Sequence, residues 1–201
     1  MQNFDYYDNA RLDVLSVIPK KKFDHILEIG GGEFQTLSIL ADINNAEAWG
    51  VDLYPTKNKK IKYIKGSIEE KTISDKIPDE YFDLIMANDV IEHLKDSNLF
   101  IELVHKKLKY NGLLILSVPN IRQIRGLYHI YIRGTFPKEE AGLFDKTHLR
   151  WLCKKDVIKL TEKKFKLMNH KCVGRLVPNI ISKTILGEFL GLQNLFVFEK
   201  K

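Results

Sequence analysis

Between residues 25 and 119, short apolar runs alternate with segments of helical period, and this alternation constrains the fold more than any other feature. "HILEIG" (25–30), "EAWGVDL" (47–53), "IKYIKG" (61–66), "FDLIMAN" (82–88) and "GLLILSVP" (112–119) read as strands, bounded by Gly, Pro, Asn or Asp. Among the intervening segments, Phe34, Leu37, Leu40 and Ala41 share one helical face. Leu99, Phe100, Leu103, Val104 and Leu108 share another, in a helix that Asp96 or Ser97 can cap and Asn111-Gly112 can end. Strands that are apolar nearly throughout need cover on both faces, and the helices between them supply it. The expectation is an α/β protein with a doubly wound, mostly parallel sheet. Past Pro119 the pattern loosens over 120–150, returns as a helix near 154–164, and closes with two strands near 165–174 and 194–200. With no repeat or low-complexity linker, 1–201 reads as one domain, in which 120–150 is a substrate-side insertion or lid.

Composition narrows the setting. Hydrophobic residues at 44% and charged residues at 29% are ordinary for a globular protein. No apolar run approaches the ~18 residues of a membrane span, and the longest C-terminal candidate is interrupted by Lys183, Glu188 and Gln193. The start lacks a signal-peptide layout, and Cys153 and Cys172 suggest neither a disulfide framework nor a metal site, so a cytoplasmic location is expected. The net charge of +6 could draw an anionic partner, yet the lysines scatter over 57–65, 106–109 and 163–171 without interleaved aromatics. A solvated surface is therefore expected, and nucleic acid is not an expected partner. The six histidines stand apart from one another in the sequence, so no metal is expected.

Three consecutive glycines, Gly30, Gly31 and Gly32, follow the first strand and precede a helix. In an open parallel sheet, ligands sit at the carboxyl ends of the strands, where such a turn lets backbone approach them closely. The turn lacks the last glycine of a dinucleotide fingerprint, with Gln35 in that place, and it lacks the Lys-Ser/Thr of a phosphate-binding loop. It fits E-x-G-x-G from Glu28, with a second acid, Asp52, ending the next strand. Asp52 can accept hydrogen bonds from two ribose hydroxyls, and Glu28 can order the loop amides and attract an ammonium group. A cofactor with an amine, a carboxylate, a ribose and an adenine but no phosphate suits this pattern. S-adenosylmethionine has those groups.

"ILEIGGG", "GVDLYP", "YFDLIMANDVIEHLKD" and "LKYNGLLILSVPN" resemble, in order and spacing, the class I S-adenosylmethionine-dependent methyltransferases over residues 22–120. The later "GLFDKTHLRWLCKKDVIKLTEKKFKL" is similar to a bacterial and archaeal subgroup acting on small molecules, lipids or sugar chains. The resemblance implies a seven-stranded sheet whose last strand, "NLFVFEK", runs antiparallel. It implies a first cofactor loop from Glu28, Gly30, Gly31 and Gly32, with Asp52 on the ribose and Leu53 against the adenine. Ser67 and Ile68 would lie near the adenine amino group, and Asn88, Asp89 and Val90 would line the cofactor. Two departures stand out: Phe34 replaces the usual third glycine, and Ser67 replaces a common Asp.

The remaining polar residues carry two readings each. Glu92 and His93 either shape the loop after the fourth strand or touch the substrate. Asp145 and His148, three apart, share a face in a helical turn and could act as orienter and base, or as a loop staple. Trp151 reads as core. Arg122, Arg125 and Arg133, with Tyr128 and Tyr131 between them, could form a lid favouring an anionic acceptor, a packing helix or a homodimer contact. Tyr6, Tyr7 and Arg11 could cover the cofactor, or belong to a helix packed on the sheet. The candidate catalytic residues are thus His148, Asp145 and His93, and the candidate substrate-binding residues are Tyr7, Arg11, Tyr128, Tyr131 and Arg133.

The function expected is methyl transfer from S-adenosylmethionine, releasing S-adenosylhomocysteine, to an oxygen or nitrogen of a small-molecule, lipid or glycan acceptor. A non-catalytic cofactor- or partner-binding protein of the same fold is the competing class, kept open by Phe34 and Ser67. RNA methylation is a third reading, resting on charge alone, since "NDVI" stands where an N-P-P-Y-like motif would be.

Overall fold

The structure is a computed structural model, and it describes every residue except 1–9, 175, 176 and 179. Tyr6 and Tyr7 lie outside the described residues. The elements follow in the order α1 (Leu12–Leu15), β1 (His25–Ile29), α2 (Gln35–Asn44), β2 (Glu47–Asp52), β3 (Lys62–Lys65), α3 (Lys71–Ser74), β4 (Phe82–Asn88) and α4 (Ser97–Lys107). Then come β5 (Leu108–Pro119), α5 (Ile124–Leu127), a π-helical turn (Tyr128–Ile132), α6 (Lys154–Thr161), β6 (Phe165–Val173), α7 (Ile185–Leu190) and β7 (Gln193–Lys200). The seven strands form one sheet in the order β3-β2-β1-β4-β5-β7-β6. β1 through β5 pair in parallel, while β7 runs antiparallel to both β5 and β6.

The strand alternation builds two apolar layers. Leu27, Ile85, Leu114, Leu116, Phe196 and Phe198 face one side, where Ile73, Phe100, Ile101, Val104 and Val157 from α3, α4 and α6 cover them. Ile26, Leu84, Met86, Leu113, Ile115, Leu195 and Val197 face the other, under Val14 of α1 and Leu37 and Leu40 of α2. The doubly wound sheet expected from the sequence is the one found.

Two local expectations change. α4 stops at Lys107, ahead of Asn111-Gly112, because buried Leu108 already pairs with Phe82 in the sheet. Asn111, at φ 57°, instead bends the start of β5. At the other end, Asp96 caps α4 by accepting from Asn98 N and Leu99 N. Leu99 is 67% exposed and takes no part in the apolar face.

Candidate functional site

The carboxyl ends of β1, β2 and β4 converge on residues 30–34. Gly30 (φ 73°) donates its N–H to Val51 O at 2.8 Å. A Cβ at Gly30 would lie 2.5 Å from Val90 Cγ2, and one at Gly31 would lie 2.4 Å from the Phe34 ring. These two glycines are therefore required by the protein's own packing, in addition to any ligand. Phe34 holds a left-handed conformation (φ 56°) at the start of α2, with its ring fully buried. The ring fills a slot left by Gly31 and Gly50 and meets Tyr63 edge-on at 6.0 Å. The residue in place of the family's third glycine thus turns into the core.

Asp52 is nearly buried and closes the loop from β2. Its Oδ2 accepts from Gly32 N and its Oδ1 from Tyr54 N, each at 2.9 Å. Gly32 itself has φ 57°. Leu53, next in sequence, is 59% exposed, so an apolar side chain stands open beside the carboxylate. Ser67 Oγ accepts from Glu69 N at 3.2 Å. Ile68 is buried in the core, so its side chain does not face a ligand and only its backbone can do so. Val90 is likewise buried, against Gly30.

At the sheet's centre Asn88 Nδ2 donates to Glu28 Oε1 at 3.2 Å. Both residues are buried, and Glu28 Oε2 and Asn88 Oδ1 have no hydrogen-bond partner among the described residues. Burial pushes the Glu28 carboxyl up to about 7, despite the Asn88 hydrogen bond that opposes it. Asp89, with φ 56°, also has its carboxyl raised by burial, opposed by Arg11. Arg11 Nη1 donates to Asp89 Oδ2 at 2.8 Å and Nη2 donates to Ser117 Oγ at 3.1 Å. Arg11 N also donates to Thr36 Oγ1 at 2.9 Å, which ties the start of α1 to the first turn of α2. Sequence reasoning singled out Arg11 and Asp89 separately, and it missed Ser117, whose burial between β4 and β7 left no pattern to find.

The second group lies where the loop after β4 meets residues 143–151. Leu149 N donates to Glu92 O at 2.9 Å, which sets His148 beside Glu92. His148 Nε2 lies 3.9 Å from Glu92 Oε1, and the His93 and His148 rings meet at 4.7 Å. The histidines are therefore not isolated, contrary to the sequence-based expectation, because the fold brings together two residues 55 positions apart. Burial, and secondarily the charge of Asp89, drives the Glu92 carboxyl well above the usual range. Burial, and secondarily His93, lowers His148. The expected Asp145–His148 pair is corrected: Asp145 Oδ1 accepts from Thr147 N at 2.8 Å and Thr147 Oγ1 at 2.6 Å. Thr147 Oγ1 in turn contacts His93 Nδ1 at 3.1 Å, while His148 Nδ1 faces Leu143 O at 3.3 Å. Asp145 thus reaches His93 through Thr147.

The remaining polar and aromatic side chains of residues 122–151 separate into anchored and open ones. Arg122 pairs with Glu188, and Arg125 pairs with Glu139. Arg150 binds Ile91 O at 3.1 Å, Lys95 O at 2.9 Å and Ser97 Oγ, so it staples the loop. Trp151 is only partly buried and belongs to neither apolar layer; it donates Nε1–H to Leu143 O at 2.8 Å and packs on half-exposed Phe136 at 4.4 Å, so it secures its own loop and departs from the core role expected. Tyr128, Tyr131 and Arg133 are exposed.

A family model described as a methyltransferase domain matches residues 3–156. The chain belongs to the class I S-adenosylmethionine-dependent methyltransferase family. Rat mitochondrial ubiquinone biosynthesis O-methyltransferase (Rattus norvegicus) is 31% identical over 98 residues, which cover 48% of this chain and 26% of that protein. The matched region thus spans about a quarter of the curated relative's length. Among solved structures, an S-adenosylmethionine-dependent methyltransferase from Archaeoglobus fulgidus superposes with TM-score 0.62 at 20% identity, covering 89% of this chain and 86% of that one. N-methyltransferase NodS from Bradyrhizobium japonicum, solved with S-adenosylhomocysteine, gives TM-score 0.62 at 16% identity over 97% and 90% of the respective chains. These two likenesses speak to the fold.

Proposed function

We propose that this methyltransferase holds S-adenosylmethionine across residues 28–34, 52–53, 67–68 and 88–90, and methylates an oxygen or nitrogen of a small-molecule, lipid or glycan acceptor. The observation that carries the reading is the convergence of Glu28, Asp52 and Asn88 on one glycine turn. Asp52 holds Gly32 and Tyr54 with one hydrogen bond to each oxygen, and a carboxylate oxygen has further capacity for ribose hydroxyls. Glu28 and Asn88 keep buried, unpartnered oxygens beside the turn, and an ammonium group would satisfy them. When bound, the cofactor supplies an electrophilic methyl on its sulfonium.

The acceptor side is assigned to the group formed by His93, Asp145, Thr147 and His148, with Tyr128, Tyr131 and Arg133 beyond it. Asp145 orients Thr147, which orients His93. Either imidazole can take a proton from an acceptor hydroxyl or amine, while alignment of acceptor and methyl supplies much of the rate. The O-methyltransferase relative supports a small-molecule acceptor.

Titration calorimetry with S-adenosylmethionine, S-adenosylhomocysteine and NAD tests the cofactor assignment, and transfer of labelled methyl to phenolic, amine and glycan panels tests the acceptor class. Binding of the first two with negligible NAD binding is expected. Preference for NAD, or methylation of bulk RNA in place of the small acceptors, overturns the reading.

A further inference from the structure

We propose that Glu92, His93 and His148 form a binding site for a divalent first-row transition-metal ion. One ligand atom from each residue lies within 4.8 Å of the others. The Glu92 side chain is 2% exposed, and neither of its oxygens has a hydrogen-bond partner among the described residues. A buried carboxyl of this kind either keeps its proton or gives it up to a cation that compensates the charge. No Lys or Arg pairs with Glu92 among the described residues, and the group nearest its Oε1 is an imidazole nitrogen.

The hydrogen bonds around the two rings identify that nitrogen's state. His148 Nδ1 faces a carbonyl oxygen, Leu143 O, so Nδ1 carries the proton and donates it. Neutral His148 then presents a bare lone pair on Nε2 toward Glu92 Oε1 at 3.9 Å. Two acceptors face each other across that gap. A metal ion with bonds of about 2 Å to nitrogen and oxygen fits between them. Thr147 gives the same answer for His93. Its one hydroxyl proton goes to Asp145 Oδ1 at 2.6 Å, so toward His93 Nδ1, at 3.1 Å, the oxygen must accept. His93 Nδ1 is therefore the donor, and its Nε2 lone pair is left available. Both rings have their second nitrogen held by an oxygen, as metal-binding histidines do.

Two imidazoles and one carboxylate favour ions such as Zn²⁺, Co²⁺, Mn²⁺ or Fe²⁺ over Mg²⁺ and Ca²⁺, which take mainly oxygen ligands. Three protein ligands leave coordination positions open, and His93 is the least buried of the three. An acceptor hydroxyl bound there would lose its proton to solvent more readily, and this takes the place of proton transfer to an imidazole, since with the ion bound neither ring has a free nitrogen. That last step rests on the methyltransferase reading, whereas the metal site does not.

The test uses the full chain freed of metal by chelator dialysis, titrated with Zn²⁺ by calorimetry and with Co²⁺ by visible absorption, with no cofactor or acceptor present. One ion per chain is expected, with a Co²⁺ spectrum of mixed nitrogen and oxygen ligation. Glu92→Gln keeps the volume and, like the protonated carboxyl of the metal-free parent, carries no charge, so it should fold as well as the parent. It and His148→Ala should each weaken Zn²⁺ binding at least about 100-fold, and Thr147→Val, which frees the His93 ring, about 10–100-fold. Zn²⁺ affinity equal in the parent and in folded Glu92→Gln overturns the proposal, as does a Co²⁺ spectrum unchanged from the free ion. Either result leaves cofactor binding, measured separately, untouched.

Discussion

Asn88 donates to Glu28 across the β1–β4 pair at 3.2 Å, and each residue keeps one buried oxygen with no partner among the described residues. The pair gives Glu28 a pH signature. Its carboxyl rises from the ordinary 4.5 to about 7, mainly through burial. Below about pH 4.5 the group is neutral folded or unfolded, so the stabilisation of its neutral form is fully present. As pH climbs toward 7 the unfolded chain loses this proton first, and stability falls. The loss levels off above the folded value at roughly 3 kcal/mol. Glu28→Gln should flatten this part of the profile, so denaturant midpoints of the two proteins separate between pH 5 and 7.5 in favour of the variant. Parallel profiles would mean that Glu28 is not the titrating group.

Asp52 serves the protein before it serves any ligand. Its two oxygens hold Gly32 N–H and Tyr54 N–H, and hydrogen bonds to charged groups contribute about 1.5–3 kcal/mol each. Asp52→Ala should therefore lower the melting temperature and also weaken S-adenosylmethionine by at least about tenfold. Asp52→Asn, which keeps one carbonyl acceptor, should fall between. Cofactor affinity within a factor of two of the parent in Asp52→Ala would place the ribose elsewhere.

Phe34 combines a wholly buried ring with a left-handed backbone. Loss of such a ring costs about 3–5 kcal/mol, so Phe34→Ala should be strongly destabilised. Phe34→Gly should lose about 1 kcal/mol less, since glycine adopts this conformation without a Cβ clash. Equal stability of the two variants in urea titrations would show that the backbone there relaxes when the ring is gone.

The sheet was legible because its information is local. Apolar runs such as "HILEI" and "FDLIMAN" are bounded by turn residues, and each lands within a residue or two of its strand. The helix stop at Asn111-Gly112 misled because pairing of Leu108 with Phe82, 26 positions back, overrides a local turn signal. The acceptor side was legible only as a set of polar residues. Asp145 and His148 share a spacing that suggests a pair, but a compact turn directs Asp145 to Thr147 instead. His93 and His148 look isolated along the chain, and long-range bonds that no local pattern announces, from Leu149, Thr147 and Arg150 to the loop after β4, bring them together. Phe34 reads as a departure at the glycine turn until Gly31 and Gly50 show the slot that takes its ring.

The segment from Arg122 to Arg150 mixes anchors with open side chains, and substitution should separate them. Arg150 makes three hydrogen bonds to the loop after β4, two of them to backbone carbonyls of Ile91 and Lys95. Arg150→Met keeps much of the aliphatic stem but leaves those acceptors unserved, at a cost of about 1–3 kcal/mol. Because the same loop carries Glu92 and His93, turnover should fall with stability. Tyr131, 78% exposed, and exposed Arg133 make no such attachment. Tyr131→Ala and Arg133→Ala should therefore stay within about 0.5 kcal/mol of the parent in stability. If they line the acceptor site, they should raise the KM for the acceptor while leaving cofactor affinity intact. Unchanged acceptor kinetics in both variants would move the acceptor site off the π-helical turn and toward the His93–His148 side of the segment.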